Sequence, residues 1–383
     1  MKIALVHSFY RSDYPSGENI AVSLQAEALT SAGHDVRIFS RSSDDYLGKP
    51  LYPLTAGVSV ATGHGPSPLA QINRFGPDVI HIHNLFPNWG TSWLKEVDVP
   101  IVATVHNFRP VCSAGTLLRA GKFCDLCPTR GSHHAITHRC YQQSAVKTLP
   151  LAVASRKSQT PELFAQADAL IFLSERTRSM YESYGLGFPE KAHVVPNFVE
   201  VPQNQPNQSG PEKERAWVFA GRLSPEKGIL DLIRYWPSEI ALDVVGGGPD
   251  ERKCWDAGAN KNITFHGQKS REFVGDLLQQ ARGLVFPSTC VENSPLIYLE
   301  ALSAGLPVVA LMGNSVSDDV EEGETGVVVE EASGISEGVL NVEGDHSRFE
   351  KNAALRFEEV FSQEIWKAKM SDIYESLIGA RYA

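Results

Sequence analysis

Three things are scarce in these 383 residues: long apolar runs, closely paired acidic triplets and an excess of positive charge. Apolar stretches such as Ile101–Val105 and Leu170–Leu173 stop far short of the roughly 20 residues that a membrane-spanning helix requires, so no helical span is expected. Lys2 is followed by Ile3, Ala4, Leu5 and Val6 and then by His7, too short a stretch for a secretory signal. It reads as a first strand, and a cytoplasmic location is expected. A net charge of −10 argues against general nucleic-acid binding. No Asp-x-Asp triplet occurs anywhere, so that common carboxylate pair for a divalent ion is missing.

What is present is ordinary for a folded soluble chain: 42% apolar and 21% charged residues rule out extensive disorder. At about 150 residues per domain the length allows two or three cores. The charge is uneven. Before Val199 there are 18 Lys and Arg against 15 Asp and Glu, and after it 17 against 30. Between His106 and Lys157, eight cations (Arg109, Arg119, Lys122, Arg130, Arg139, Lys147, Arg156 and Lys157) face only Asp125. That segment is either an anion-facing surface or an ordinary solvated face.

Short β-branched runs alternate with helix-sized intervals along the chain, the pattern of parallel strands joined by crossover helices. The first half predicts strands at Met1–His7, Val36–Ser40, Asp78–His83, Pro100–His106, Ala169–Ser174 and His193–Pro196, with a helix over Ile20–Ala32. The second predicts Ala216–Ala220, Leu242–Val245, Asn262–Phe265, Gly283–Pro287, Pro307–Ala310 and Val327–Val329. Between them Val201–Glu214 is polar and carries Pro202, Pro206, Gly210 and Pro211, as a linker does. The expected domains are 1–199, with a Cys-rich insertion at 109–142, then 200–363, then a C-terminal helix over 364–383. Two doubly wound α/β sheets place their ligand loops at the carboxyl ends of their strands, and facing sheets would form a cleft there.

Two loops stand out. Gly221-Arg222-Leu223-Ser224-Pro225-Glu226-Lys227-Gly228 follows a strand, and Ser224 then Pro225 predicts an N-cap and a helix start. Arg222 and Lys227 would flank that positive helix end, a setting that suits a diphosphate as well as a plain surface loop. In Ser288-Thr289-Cys290-Val291-Glu292-Asn293-Ser294-Pro295 the same Ser-Pro device recurs, with a helix expected to run to Gly305. Glu292 precedes this helix, where the plainer reading is an acid that complements its dipole. Glu300 lies within it, about 7.5 Å beyond Pro295 at 1.5 Å per residue. It follows Leu296, Ile297 and Leu299, where a carboxylate is costly unless something accepts it.

The Glu292-x7-Glu300 spacing, preceded by the Gly221–Gly228 loop, resembles retaining glycosyltransferases of family 4, with the GT-B fold. Thr104-Val105-His106-Asn107, Val195-Pro196-Asn197, Gly246-Gly247-Gly248-Pro249 and Phe361-Ser362-Gln363-Glu364 stand in the family's order across nearly the whole chain. The resemblance implies that Arg222 and Lys227 hold a donor diphosphate, with Gly246 in the donor site, and that Glu300 binds the nucleotide ribose. It implies that Glu292 meets the transferred sugar, with the amides of Asn293, Ser294 and Leu296 beside it. His106 at a strand end would contact that sugar, against the plainer reading of a structural histidine. The family often has two glycines where this chain has Ser16-Gly17; Gly17 alone would still admit a phosphate closely. Catalysis is expected to need no metal, with transfer of a sugar from a UDP-sugar first, or a GDP-sugar second, to a lipid-linked or growing glycan. Antibiotic glycosylation is an alternative, and an epimerase or a noncatalytic nucleotide-sugar sensor would use a similar pocket. The C-terminal helix is expected to cross back to the N-terminal domain.

Cys112-x11-Cys124-x2-Cys127-x12-Cys140 offers four ligands for a structural zinc, with His133, His134 and His138 as substitutes, or four unligated thiols. The same insertion is basic, which suggests contact with an anionic acceptor or with the inner membrane leaflet.

Overall fold

The computed structural model describes all residues except 14–15, 157–158, 202–214, 321–323 and 383. Most of the expected linker, and Lys157 of the basic segment, lie outside the described residues. The chain forms two compact units: Met1–Arg119, Cys124–Pro196 and Trp366–Ala383 in one, Ala120–Phe123 and Asn197–Ile365 in the other.

Strands of the first unit are β1 (Lys2–Phe9), β2 (Asp35–Ser42), β3 (Val79–Asn84) and β4 (Ile101–Val105). A two-stranded hairpin, β5 (Leu118–Arg119) and β6 (Lys122–Phe123), interrupts the series before β7 (Ala169–Phe172) and β8 (Ala192–Val194). The large sheet is ordered β2-β1-β3-β4-β7-β8. All its pairings are parallel. Ile3, Leu5 and Val6 are fully buried, as a strand covered on both faces demands, so apolar residues run continuously rather than alternate. In this order the direction of growth reverses between β1 and β3, and the loops beyond their carboxyl ends flank that reversal.

The second unit contains β9 (Trp217–Ala220), β10 (Leu242–Val245), β11 (Ile263–Gly267), β12 (Gly283–Phe286), β13 (Val308–Leu311) and β14 (Gly326–Val329). They pair in parallel as β11-β10-β9-β12-β13-β14, with the reversal between β9 and β12. Trp217, Trp236, Leu232 and Phe349 anchor one face of its core. All twelve strands expected from sequence are present; the short β5–β6 hairpin is additional.

Ser16 turns out to cap the first helix, Gly17–Ser31, by accepting a hydrogen bond from the Asn19 amide. The residue that replaces a family glycine thus stabilises the helix it precedes. The last helix, Gln363–Tyr382, belongs from Trp366 onward to the first unit. There the buried Tyr374 hydroxyl and His81 Nδ1 lie 2.7 Å apart, while His81 Nε2 meets the Thr104 hydroxyl, also at 2.7 Å.

Candidate active site

Beyond β9 the chain makes a single 3-10 turn at Pro225–Lys227, then a left-handed Gly228 (φ +68°), and only then a short α-helix, Ile229–Tyr235. This corrects the expectation of a helix starting at Pro225. Two contacts explain the difference. The Ser224 hydroxyl donates to Glu226 Oε1 at 2.6 Å rather than capping an amide. A Cβ on Gly228 would lie 2.1 Å from the Pro287 carbonyl oxygen, so the chain must pass there as glycine in a conformation that interrupts an α-helix. No α-helix N-terminus at Pro225 is there to hold an anion, and the cations and the loop itself remain.

The triple-glycine loop has a similar cause. Gly246 is left-handed (φ +140°), and a Cβ there would stand 1.8 Å from the Gly221 oxygen; one on Gly248 would stand 2.4 Å from the Leu223 oxygen. Backbone lies on backbone, fastened by Leu223 N–H to the Gly247 carbonyl and Asp250 N–H to the Leu223 carbonyl, each 3.0 Å. The loop that carries exposed Arg222 is thus fixed from below.

The second loop is tied to the first. Thr289 donates to the Glu226 carbonyl through both its backbone N–H and its hydroxyl, at 2.9 and 3.1 Å, and buried Asn314 donates to the Ser288 carbonyl at 2.9 Å. Ser294 is not the helix N-cap it was expected to be. Its hydroxyl accepts from Asn197 N–H at 3.2 Å, its carbonyl accepts from Asn197 Nδ2 at 3.0 Å, and Pro295 occupies the cap position of a helix spanning Leu296–Ser303. That helix ends before Gly305, which is left-handed.

These ties bring Lys227 and Glu292 into an ion pair. Glu292 Oε1 also accepts from the Ser288 hydroxyl at 2.9 Å and from the Cys290 thiol at 3.2 Å. Burial alone would push the Glu292 carboxyl up, but Lys227 and the two hydrogen bonds outweigh it and hold it below the ordinary range. Burial likewise opposes the Lys227 ammonium, yet Glu292 and its neighbours keep it above its ordinary value. Both groups are therefore charged at neutral pH. Burial, with Glu292 beside it, raises the Cys290 thiol to about 12, so it remains a donor.

Glu300 has a different partner. Its Oε1 accepts from Arg271 Nε at 2.7 Å, which satisfies the carboxylate that looked costly on an apolar helix. Arg271 and Asn314 escaped the sequence reading; their partners, Glu300 and Ser288, lie 29 and 26 residues away in sequence, and no local motif links them. Asn293 is partly exposed and Leu296 is buried on the same stretch.

Gly17 and His106 belong to the first unit. His106 sits just past β4, with its Nε2 3.0 Å from Nδ1 of His83 on β3. His7 on β1 hydrogen-bonds Asn19 Oδ1 at 3.0 Å. Burial first, then repulsion from its neighbours His7 and His81, pulls His106 down to about 3; burial takes His81 to about 3 and His7 to about 4. The imidazoles are neutral at pH 7, suited to hydrogen bonding a hydroxyl rather than to acting as cations.

Next to Gly17, the Glu18 carboxyl accepts from Asn107 Nδ2 at 3.2 Å, while its Oε1 is buried with no hydrogen-bond partner among the described residues. Burial raises it to about 7 despite Asn107 and Arg109. The Arg109 guanidinium lies 4.1 Å over the Phe86 ring, and its backbone N–H donates to Asn107 Oδ1 at 2.9 Å. His83, Asn84, His106, Asn107 and Arg109 line a cavity of about 430 Å³ in this unit. Adjacency to Gly17 was the only available sequence signal for Glu18.

The six cysteines are all free thiols. Cys127 packs with Cys140, Ala135 and Ala152. Burial, then the neighbouring Cys112, Cys140 and Cys124, raises the Cys127 thiol to about 12, so the four share one neighbourhood. Among the described residues no group of three or more His, Cys, Asp or Glu stands at metal-holding geometry. Nor is any described helix long and apolar enough to cross a membrane.

Residues 16–202 match the family model described as Glycosyltransferase Family 4, and residues 201–356 match Glycosyl transferases group 1. Among curated proteins, a phosphatidyl-myo-inositol mannosyltransferase of Mycolicibacterium smegmatis is 24% identical, the match covering 99% of this chain and 95% of that one. A GDP-mannose-dependent alpha-(1-6)-phosphatidylinositol monomannoside mannosyltransferase of the same organism is 27% identical over 57% of this chain and 64% of its own. Among solved structures, the sucrose-phosphate synthase of Thermosynechococcus elongatus superimposes with a TM-score of 0.71 at 19% identity, covering 99% of each chain. The Anabaena HepE protein, in complex with UDP and glucose, does so with a TM-score of 0.62 at 15% identity, covering 98% of this chain and all of that one.

Proposed function

The chain belongs to glycosyltransferase family 4, and from that premise we propose that it moves a sugar, with retention of anomeric configuration, from a nucleoside diphosphate sugar to a glycan or lipid-linked acceptor. The glycosyltransferase assignment leaves the epimerase and sensor readings without support. The observation that carries the proposal is the Lys227–Glu292 pair, held on two mutually fastened loops at the carboxyl ends of β9 and β12.

Cleavage of the bond between the anomeric carbon and phosphate leaves negative charge on the departing diphosphate and positive character on the sugar. Arg222 and Lys227 neutralise the first. Glu292 receives the sugar hydroxyls and faces the developing positive charge. The acceptor oxygen attacks on the face the phosphate leaves, and its proton passes to the departing phosphate oxygen, so no protein general base is assigned and none of these steps calls on a metal. Neutral His106 orients a sugar hydroxyl. The cavity lined by His83, Asn84, Asn107 and Arg109 takes the acceptor.

For the donor, the UDP bound to Anabaena HepE and the GDP-mannose named for the mycobacterial relatives each favour one base. UDP remains the first choice and GDP the second. Lipid acceptors are named for the mycobacterial relatives, which supports surface glycan or glycolipid assembly over antibiotic glycosylation. A structural zinc at Cys112, Cys124, Cys127 and Cys140 rests on their number and spacing in sequence alone, since the described residues hold no metal-ready group; elemental analysis showing no zinc in the purified protein would remove it.

Glu292→Gln is the test. Transfer should fall by about 10² or more, by analogy with deleted transition-state contacts, while nucleoside diphosphate binding is kept or tightened as Lys227 is released. Equal loss of binding and transfer would make Glu292 a structural residue.

A further inference from the structure

Six of the eight exposed large apolar side chains described between Met1 and Pro196 lie in one region of the first unit: Leu47 (56% exposed), Leu51 (70%), Leu54 (68%), Val58 (53%), Val146 (82%) and Leu149 (50%). Leu51, Leu54 and Val58 recur at i, i+3 and i+7 along the helix Tyr52–Thr62 and at its cap, so they form one stripe. Val146 and Leu149 are spaced i, i+3 on the helix Ala145–Ala154. The two helices touch where a Cβ on Gly57 would meet Pro150 at 3.3 Å, which joins the stripes into one apolar face.

The charge along the segments that carry this face is mainly positive. No Asp or Glu occurs between Asp45 and Asp78, nor between Asp125 and Glu162, although the whole chain carries 45 of them. Lys49, Arg130, Arg139, Lys147 and Arg156 in or beside those stretches are exposed. Apolar side chains set among cations, with Asp44 and Asp45 the only acids close to them in sequence, are the composition of a surface that enters the headgroup region of an anionic bilayer. A second copy seated on the same face would set one mainly cationic surface against another, which disfavours self-association.

We infer that this two-helix face docks the enzyme on anionic phospholipid membrane. The same helices also wall the 430 Å³ cavity, through Ser59, Val60 and Thr62 on one and Leu151 and Val153 on the other. An acceptor carried by a lipid would reach the cavity from the surface on which the protein rests. The inference deepens the proposal of a lipid-linked acceptor, but the docking itself stands on the exposed face alone.

The test is co-sedimentation of the full chain with vesicles of phosphatidylglycerol and phosphatidylcholine, and with vesicles of phosphatidylcholine alone. The wild type should bind the anionic vesicles, more weakly as salt rises. Leu51→Asp with Leu54→Asp, and separately Val146→Asp with Leu149→Asp, should each lower the partition at least tenfold while the melting temperature stays unchanged, because these side chains are exposed. Leu54→Phe should keep it. Vesicle binding by the Asp variants equal to wild type overturns the inference. So does failure of the wild type to bind, or a dimer in sedimentation equilibrium that the Asp variants abolish. Because vesicle binding needs no donor or acceptor, loss of docking with intact transfer to a soluble acceptor sinks only this surface, and docking without any sugar transfer sinks only the enzymatic reading.

Discussion

Replacing Lys227 with Met keeps the length of the stem and removes only the charge. Glu292 would then keep its bonds from Ser288 and Cys290, at 2.9 and 3.2 Å, but lose the cation that holds it ionised. Breaking a buried pair by removing one partner costs about 3–5 kcal/mol. Here the side chains are 28% and 15% exposed, so water screens the pair in part and we expect about 2–3 kcal/mol. Glu292→Gln alone leaves an ammonium that reaches solvent and should cost less, about 1 kcal/mol. Once the charge on 292 is gone, the Lys227→Met change has little left to break, so the double variant should be about as stable as Glu292→Gln alone. The coupling energy then equals the Lys227→Met loss, about 2–3 kcal/mol. Urea unfolding followed by tryptophan fluorescence measures it, since Trp217 and Trp236 are buried in the same unit. Because the chain has two units, the transition assigned to the second must be resolved before free energies are extracted. Additive losses in the double variant would refute the pair as an energetic unit.

Stability should fall steeply as the pH drops below about 6.5. His7, His81 and His106, with folded values of about 4, 3 and 3, bind protons in the unfolded chain before the folded one, while Glu18, raised to about 7, does the reverse between its ordinary value and 7. Near pH 5.5 these four groups alone take up about two protons on unfolding, a slope of about 2.7 kcal/mol per pH unit, stabilising toward higher pH, and His83, which burial also holds well below its ordinary value, adds to it in the same direction. Thermal unfolding across pH 5 to 7 checks the sign; a flat profile would show that the histidines are not buried as described. Gly246→Ala places a methyl 1.8 Å from the Gly221 oxygen in a left-handed backbone, so a loss of about 3 kcal/mol or more and weakened donor binding are expected in calorimetry.

Both sheets were legible because strands covered on two faces are near-continuous apolar runs, as in Ile3–Val6, and because breakers separate them. The Ser224-Pro225 and Ser294-Pro295 pairs misled for one reason. An N-cap signature is local, whereas the contacts that overrode it, Gly228 against Pro287 and Ser294 against Asn197, join segments 59 and 97 residues apart. The β5–β6 hairpin, two residues per strand, has no periodicity to read. Of the site, Lys227 and Glu292 were found through motif and are paired in space; Arg271 as the partner of Glu300, and His83 beside His106, depend on tertiary and sheet order. Glu18 gave no signal of its own, since its pKa is set by burial, which sequence does not display.

The central claim is that the Gly221–Gly228 loop receives a diphosphate. Isothermal titration of UDP and GDP into the wild type, Arg222→Ala and Lys227→Met measures this directly. At least one nucleotide should bind the wild type and lose tenfold or more of its affinity in each variant. Binding to both variants with wild-type affinity, or no binding of either nucleotide to the wild type, would contradict the account.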